Sequence, residues 1–390
     1  MEEIKIGMVG GGLTSVMGAV HRRAIEKAGG IRLTCGAFSS SRLTSFKCQK
    51  PFGLEPRGAC GGYRELLRRM ARLPKEKRVA FVTTVLPNSM HYPVAMMAMD
   101  CGMPILSEKP FTCNMDEATN LARKSKTMGV PYRIAMVYRA YPMLDKARSL
   151  FMDGALGRAR GFRMSMQQGW MAGRVELDGN RPALWRTEAR TNGAGGVVNG
   201  TSCCCQFVLE HVTGYGISEV CANARPSVPG RLVADEATVM LRTAQGIDGV
   251  FLLSRIAVGH REGLSMEIVG DSRSMRWSES RPGRLALVDA SGKEEEFVDD
   301  TAPVELGAAD APFVAGEAHV DALAKVYRDF ADFLAGGDAS AGAVGMTIEE
   351  GVRTVAVSEA IVKNAAPPAE DQPPPPKWTP VDYAGYEMTN

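Results

Sequence analysis

The stretch from Ile4 to Ala28 constrains the fold more than any other. Ile4, Ile6, Met8 and Val9 form a short apolar run, the mark of a strand buried in a sheet. Gly10, Gly11 and Gly12 follow, and Val16, Ala19, Val20 and Ile25 then recur at helical spacing. Strand, glycine turn and helix make the first third of a dinucleotide-binding unit. The turn needs glycine for its backbone angles, and a pyrophosphate needs a backbone it can approach closely. The helix start presents amide groups and a positive dipole end to the phosphates. Gly10 and Gly12 fit G-x-G-x-x-G, but the third glycine position is Ser15. The segment Gly10, Gly11, Gly12, Leu13, Thr14 and Ser15 is therefore the first candidate cofactor contact.

The second strand is expected at Ile31–Phe38. Its tip meets the adenosine ribose, where an acidic residue selects NAD and an arginine can accept the 2′-phosphate of NADP. Here the tip reads Ser39, Ser40, Ser41 and Arg42 with no carboxylate, which tilts the reading toward NADP. NAD or NADP is the expected cofactor.

Strands at Arg78–Val85, Pro104–Ser107 and Val130–Val137 alternate with helical stretches at Tyr63–Leu73, after Leu86-Pro87-Asn88, and after Asn114. Alternation up to residue 137 predicts a parallel, doubly wound sheet. From Ile217 onward strand-like runs follow each other with little helix: Ile217–Ala224, Ala237–Arg242, Gly249–Ser254, Leu264–Val269 and Ser274–Trp277. They predict a large, open-faced, mainly antiparallel sheet, one face covered by the helix at Cys203–Val212 and the other serving an interface. Helices are expected at Pro142–Leu156, His319–Leu334 and Met346–Ala365. The expected division is residues 1–137, a dinucleotide-binding domain; 138–365, an α/β domain for substrate and oligomerisation; and 366–390, a proline-rich arm that can be neither helix nor central strand.

Composition excludes several classes. Net charge is +2 over 390 residues, which gives no electrostatic argument for nucleic acid or an anionic membrane. No apolar run approaches the ~20 residues that span a bilayer. The start lacks a charged-then-apolar leader. The nine cysteines are odd in number and scattered, with Cys203, Cys204 and Cys205 adjacent, which suits neither a disulfide framework nor a zinc site. A cytoplasmic protein without a metal is expected.

Glu108-Lys109-Pro110 ends a strand of the first domain, where ligands bind in such sheets. A lysine there can share a proton with a substrate hydroxyl. At this point the chain resembles the glucose–fructose oxidoreductase / inositol dehydrogenase / MocA family. The resemblance runs through VGGG, TTVLPNSMHYP at 83–93, SEKP at 107–110, ALGRARGFRM at 155–164 and GAGGVVNGTSCCC at 193–205. It implies an NAD(P)-dependent sugar or cyclitol dehydrogenase, a Rossmann domain followed by an open sheet, and assembly as a homodimer or homotetramer. It adds Leu86, Pro87, Asn88, His91, Glu108 and Lys109 to the cofactor contacts.

The active-site pattern departs from the family. Counting from Gly195-Gly196, the usual Asp position is Gly200 and the usual His position is Cys204. Ser89 and Met136 also replace usual polar residues. His211 lies two turns beyond Cys204, roughly 10 Å along a helix. The candidate catalytic set is thus Lys109, Cys204 and Tyr138, with Tyr141, His260 or a bound water in reserve. Trp170, Trp185, Arg186 and His260 are candidate substrate contacts: aromatic faces for a sugar ring and donors for its hydroxyls. Two alternatives stand beside the dehydrogenase: a degenerate member acting as partner subunit or sensor, and a non-redox enzyme using tightly held NAD.

Overall fold

The computed structural model describes residues 3–260, 263–301, 316–336, 345–366 and 378–386. The chain forms two compact units: Met1–Thr112 with Asp116–Ala140 and His319–Gly351, and Cys113–Met115 with Tyr141–Ala318 and Val352–Asn390. The units do not follow chain order. The split expected at 137/138 left the described residues 319–336 and 345–351 with the second domain, whereas they belong to the first unit.

The first unit is built on β1 (Ile4–Gly10), β2 (Ile31–Ala37), β3 (Phe81–Val85), β4 (Ile105–Ser107) and β5 (Tyr132–Ile134). They form one sheet in the order β2-β1-β3-β4-β5, and every pairing is parallel. The crossovers carry α1 (Val16–Ala28), α2 (Arg42–Phe46), α3 (Tyr63–Arg72), α4 (His91–Asp100) and α5 (Met115–Met128). β1 and β3 are buried along nearly their whole length, as parallel strands covered on both faces must be. A helix late in the chain, Glu317–Leu334, returns to this unit. Its Tyr327 and Phe330 pack on Phe81, with ring centroids 6.2 and 4.9 Å apart.

The second unit contains α6 (Pro142–Met152), α7 (Arg181–Arg186), α8 (Ala189–Asn192) and α9 (Val197–Thr213). Its strands are β6 (Ala159–Gln167), β7 (Ile217–Arg225), β8 (Glu236–Thr243), β9 (Asp248–Ser254), β10 (Leu264–Gly270), β11 (Arg273–Ser278), β12 (Arg284–Asp289), β13 (Glu294–Val298) and β14 (Thr379–Pro380). They make a nine-stranded sheet in which β6 and β9 run parallel and the other pairs antiparallel. The returning helix Glu317–Leu334 is α10, and α11 (Ile348–Ala365) follows it. Every residue of α9 except His211 is buried, and α9 packs on β6, β8 and β9.

The opposite face of this sheet carries charged pairs. Arg163, Glu267 and Arg276 stand on three neighbouring strands and pair at 2.6 and 2.9 Å. Arg242 bridges Glu219 and Asp248. Met240 and Leu252 are exposed among these charges. Strands β12 and β13 were not expected; in β13 the run Glu294-Glu295-Glu296 lacks apolar alternation. Of the proline-rich arm, residues 367–377 and 387–390 lie outside the described residues; β14 pairs with the edge of β7.

Candidate functional site

The cofactor cradle is made by close backbone approach. Gly10 and Gly11 have φ of 84° and 66°, and the Gly11 N–H donates to Val85 O at the end of β3. A Cβ on Gly10 would lie 2.0 Å from Val85 O, and one on Gly12 would lie 2.6 Å from Phe38 O. No side chain fits at either position, so the loop offers bare backbone to a ligand. Ser15 is the N-cap of α1, its hydroxyl accepting from the Gly18 N–H at 3.0 Å. Ser15 therefore ends the motif as a cap. The helix-packing role of a third glycine falls to Gly18, whose Cβ would sit 2.4 Å from Gly11 O. Sequence spacing hid this, because Gly18 lies three positions late. Leu13 and Thr14 are exposed on the rim. The cradle fits a dinucleotide pyrophosphate, which Gly10–Ser15 would hold on backbone amides.

At the β2 tip, Ser39 is half-buried and Ser40 exposed, while Ser41 caps α2. Arg42 sits 3.2 Å from Glu65 and over the Phe46 ring. It lines a groove of about 660 Å³ with Arg64, Arg68, Arg69 and Arg72. The groove is cationic, yet Glu65 places a carboxylate on the very arginine assigned to a 2′-phosphate.

The loops after β3 and β4 are tied together. Leu86 and Pro87 are half-buried and Asn88 is buried. His91 is fully enclosed; Nδ1 lies 2.7 Å from Pro110 O and Nε2 3.2 Å from Leu86 O. Burial holds its pKa below the ordinary value. A neutral ring has one N–H, which donates to the nearer carbonyl, Pro110 O, and ties α4 to the segment after β4. Both its nitrogens face backbone.

Glu108 and Lys109 begin the segment after β4. Glu108 accepts from the backbone N–H of Lys109 at 3.1 Å and meets His21 Nε2 at 2.9 Å. His21 Nδ1 lies 2.7 Å from the Tyr327 hydroxyl, which donates to Thr83 at 2.9 Å. Burial alone would raise the Glu108 carboxyl; the His21 hydrogen bond and the charges of His21, Lys109 and His319 outweigh it and hold the carboxyl below its usual range. Burial pushes the Tyr327 phenol up. The sequence could not show this network, since His21 and Tyr327 are 306 positions apart. Tyr138 is buried in the short turn Val137–Ala140.

In the second unit, Cys203, Cys204 and Cys205 are all buried, and the Cys203 and Cys204 sulfurs are 4.0 Å apart. Asn199 serves the glycine loop: its amide donates to Asn192 O, and Cβ atoms on Gly193 or Gly195 would strike it. Trp170, Trp185 and Arg186 come together, with the Arg186 guanidinium 4.0 Å over Trp185 and 5.7 Å over Trp170. Trp170 Nε1 donates to Gln168 Oε1 at 3.2 Å. His260 is exposed, and its carbonyl accepts from the Gly169 N–H.

Arg255 went unnoticed in the sequence. It is buried, a terminal nitrogen lies 3.4 Å from Gln168 Oε1, and another faces Gly200. Burial pushes its pKa down to about 10, against the weaker pull of Cys204 and Cys203. Nothing local in Ser254-Arg255-Ile256 distinguishes it from a surface arginine.

A parallel sheet with a glycine cradle, followed by a large mixed sheet that carries an aromatic and arginine cluster, defines a two-unit dinucleotide-dependent protein. The chain belongs to the GFO/IDH/MocA family: residues 4–136 match its NAD-binding Rossmann-fold oxidoreductase profile, and residues 144–276 match its C-terminal domain. It is 24% identical over 410 residues to levoglucosan dehydrogenase of Pseudarthrobacter phenanthrenivorans, covering 94% of this chain and 97% of that one. It is 24% identical over 289 residues to the uncharacterized oxidoreductase YfiI of Bacillus subtilis, covering 72% of each. Its fold is similar to that of an inositol dehydrogenase homolog from Azotobacter vinelandii complexed with NAD⁺, with a TM-score of 0.84, 24% identity and 93% and 95% of the two chains covered.

Proposed function

We propose that this NAD-binding oxidoreductase acts on a secondary hydroxyl or ketone of a sugar, cyclitol or glycoside, using an acid/base set that lacks the usual Asp and His. The observation that carries this is the intact network behind Lys109: Glu108, His21, Tyr327 and Thr83 join in one buried chain beside the cofactor cradle. A degenerate subunit would have no need to keep a buried ionisable chain, which is costly unless fully paired. The likeness to levoglucosan dehydrogenase and to an inositol dehydrogenase homolog supports the substrate class.

When bound, the nicotinamide supplies the hydride acceptor or donor. The chain does the rest. Lys109 exchanges the proton of the substrate oxygen, and Glu108 fixes the Lys109 backbone through its N–H. Trp170, Trp185 and Arg186 hold the ring and its hydroxyls. Cys204 sits beside Arg255 in a closed interior and serves the shape of the pocket more than its proton traffic. The open face of the nine-stranded sheet is the surface through which a homodimer or homotetramer forms. The odd number and scattered placement of the nine cysteines support a reducing, cytoplasmic setting.

The test is a screen of sugars, cyclitols and glycosides with NAD⁺ and NADP⁺, read as reduced nicotinamide. Turnover of at least one class supports the dehydrogenase. Dinucleotide binding with no turnover in either direction supports the sensor or partner subunit instead.

A further inference from the structure

Two buried arginines of the second unit are treated very differently by their surroundings. Arg231 is paired twice, with Glu176 at 2.9 Å and Asp235 at 3.2 Å, and it also donates to Gly173 O. Arg255 is equally buried, at 7% exposed against 6%. Its backbone is fixed: its N–H donates to Asp235 O, and its carbonyl accepts from Met171 N–H, each at 3.0 Å. Its side chain, by contrast, makes a single long hydrogen bond, to Gln168 at 3.4 Å. Nε has no partner, and among the described residues no carboxylate lies within ion-pair distance.

A guanidinium cannot shed its proton to escape this, and an uncompensated charge in an interior is costly. A chain that supplies two carboxylates to Arg231 and none to Arg255 leaves a place for an anion from outside. The guanidinium packs against Gly200, where a Cβ would lie 2.7 Å from a terminal nitrogen, and faces Gln168, which also holds Trp170. Trp170 leads to Arg186 and Trp185.

We propose that Arg255 anchors a carboxylate of the substrate, so that the ligand of this cluster is a sugar acid or cyclitol acid and not a neutral polyol. One guanidinium matches one carboxylate in a two-pronged contact and leaves no net buried charge. A phosphate dianion would leave charge over. The inference rests on the reading that the Trp170 cluster holds substrate.

The test measures binding by calorimetry to the full chain loaded with NAD⁺, using D-glucuronate and D-gluconate against D-glucose and glucose 6-phosphate. A hydrogen-bonded charge pair of this kind is expected to give the acids roughly a 10- to 100-fold advantage over glucose. Arg255→Met should close that gap, and Arg255→Lys should keep part of it. Without ligand, Arg255→Met should melt no lower than the wild type, because it removes an unpaired buried charge. Equal binding of acid and neutral sugar, no binding of any of them, or tighter phosphate binding overturns the inference. So does a lower melting temperature of Arg255→Met with the acid advantage retained. Acid binding through Arg255 without nicotinamide turnover would sink the dehydrogenase reading and leave this one standing; oxidation of neutral sugars without acid binding would do the reverse.

Discussion

A Cβ on Gly200 would lie 2.7 Å from a terminal guanidinium nitrogen of Arg255. The contact is with the far end of a flexible side chain, so an aspartate at position 200 can be admitted by a small shift. Its carboxylate would then be the partner that Arg255 lacks. Gly200→Asp is expected to raise stability by about 2 kcal/mol, the worth of a hydrogen bond to a charged group. It should also remove the preference for acidic ligands. Denaturant unfolding measures the first and calorimetry the second. A variant that is less stable and still prefers acids would show that the guanidinium already has its partner.

Glu108→Gln probes the buried chain behind Lys109. The fold holds the Glu108 carboxyl below its ordinary value, so its contribution is complete above the ordinary carboxylate pKa of about 4.3 and is lost as pH falls through the lower folded value. The variant should be less stable than the wild type by about 2 kcal/mol at neutral pH. The difference should hold down to about pH 5 and shrink in more acid solution. A difference that grows on acidification would contradict the assignment.

Ser15 and Gly18 divide the task of the missing third motif glycine. Ser15→Ala removes the cap and should cost about 1 kcal/mol. Gly18→Ala puts a Cβ 2.4 Å from Gly11 O, a backbone atom that cannot move aside. It should destabilise more than Ser15→Ala and weaken dinucleotide binding at the same time. Equal and small effects on both counts would show that α1 does not press on the loop.

Much of this was legible in the sequence and some of it was not. The parallel sheet and the cradle followed from alternation and from Gly10 and Gly12, because local pattern decides them. The Trp170, Trp185 and Arg186 group was legible as residue types, and the structure brings it together. Gly18 escaped because a motif fixes spacing, whereas packing asks only which residue meets Gly11. The edge strand β13 escaped because an exposed strand with Glu294, Glu295 and Glu296 has no core to alternate against. Arg255 and the link from His21 to Tyr327 are products of tertiary approach, which no single stretch records.

Arg42 and Glu65 decide between the two cofactors. Arg42→Ala should weaken NADP⁺ binding and leave NAD⁺ binding unchanged. Glu65→Gln removes the competing carboxylate 3.2 Å away and should strengthen NADP⁺ more than NAD⁺. Fluorescence titration with each dinucleotide reads both effects. Equal changes for the two cofactors would remove the β2 tip from cofactor choice.

The most direct measurement is the turnover of Lys109→Met against the wild type, on a substrate found in the screen. The variant keeps the stem and loses the group that exchanges the proton. General acid/base catalysis contributes about 10²–10⁴-fold, so kcat should fall at least ~10²-fold while dinucleotide affinity stays within about twofold. Turnover equal to that of the wild type would show that the proton takes another path and that Lys109 is not the acid/base of this enzyme.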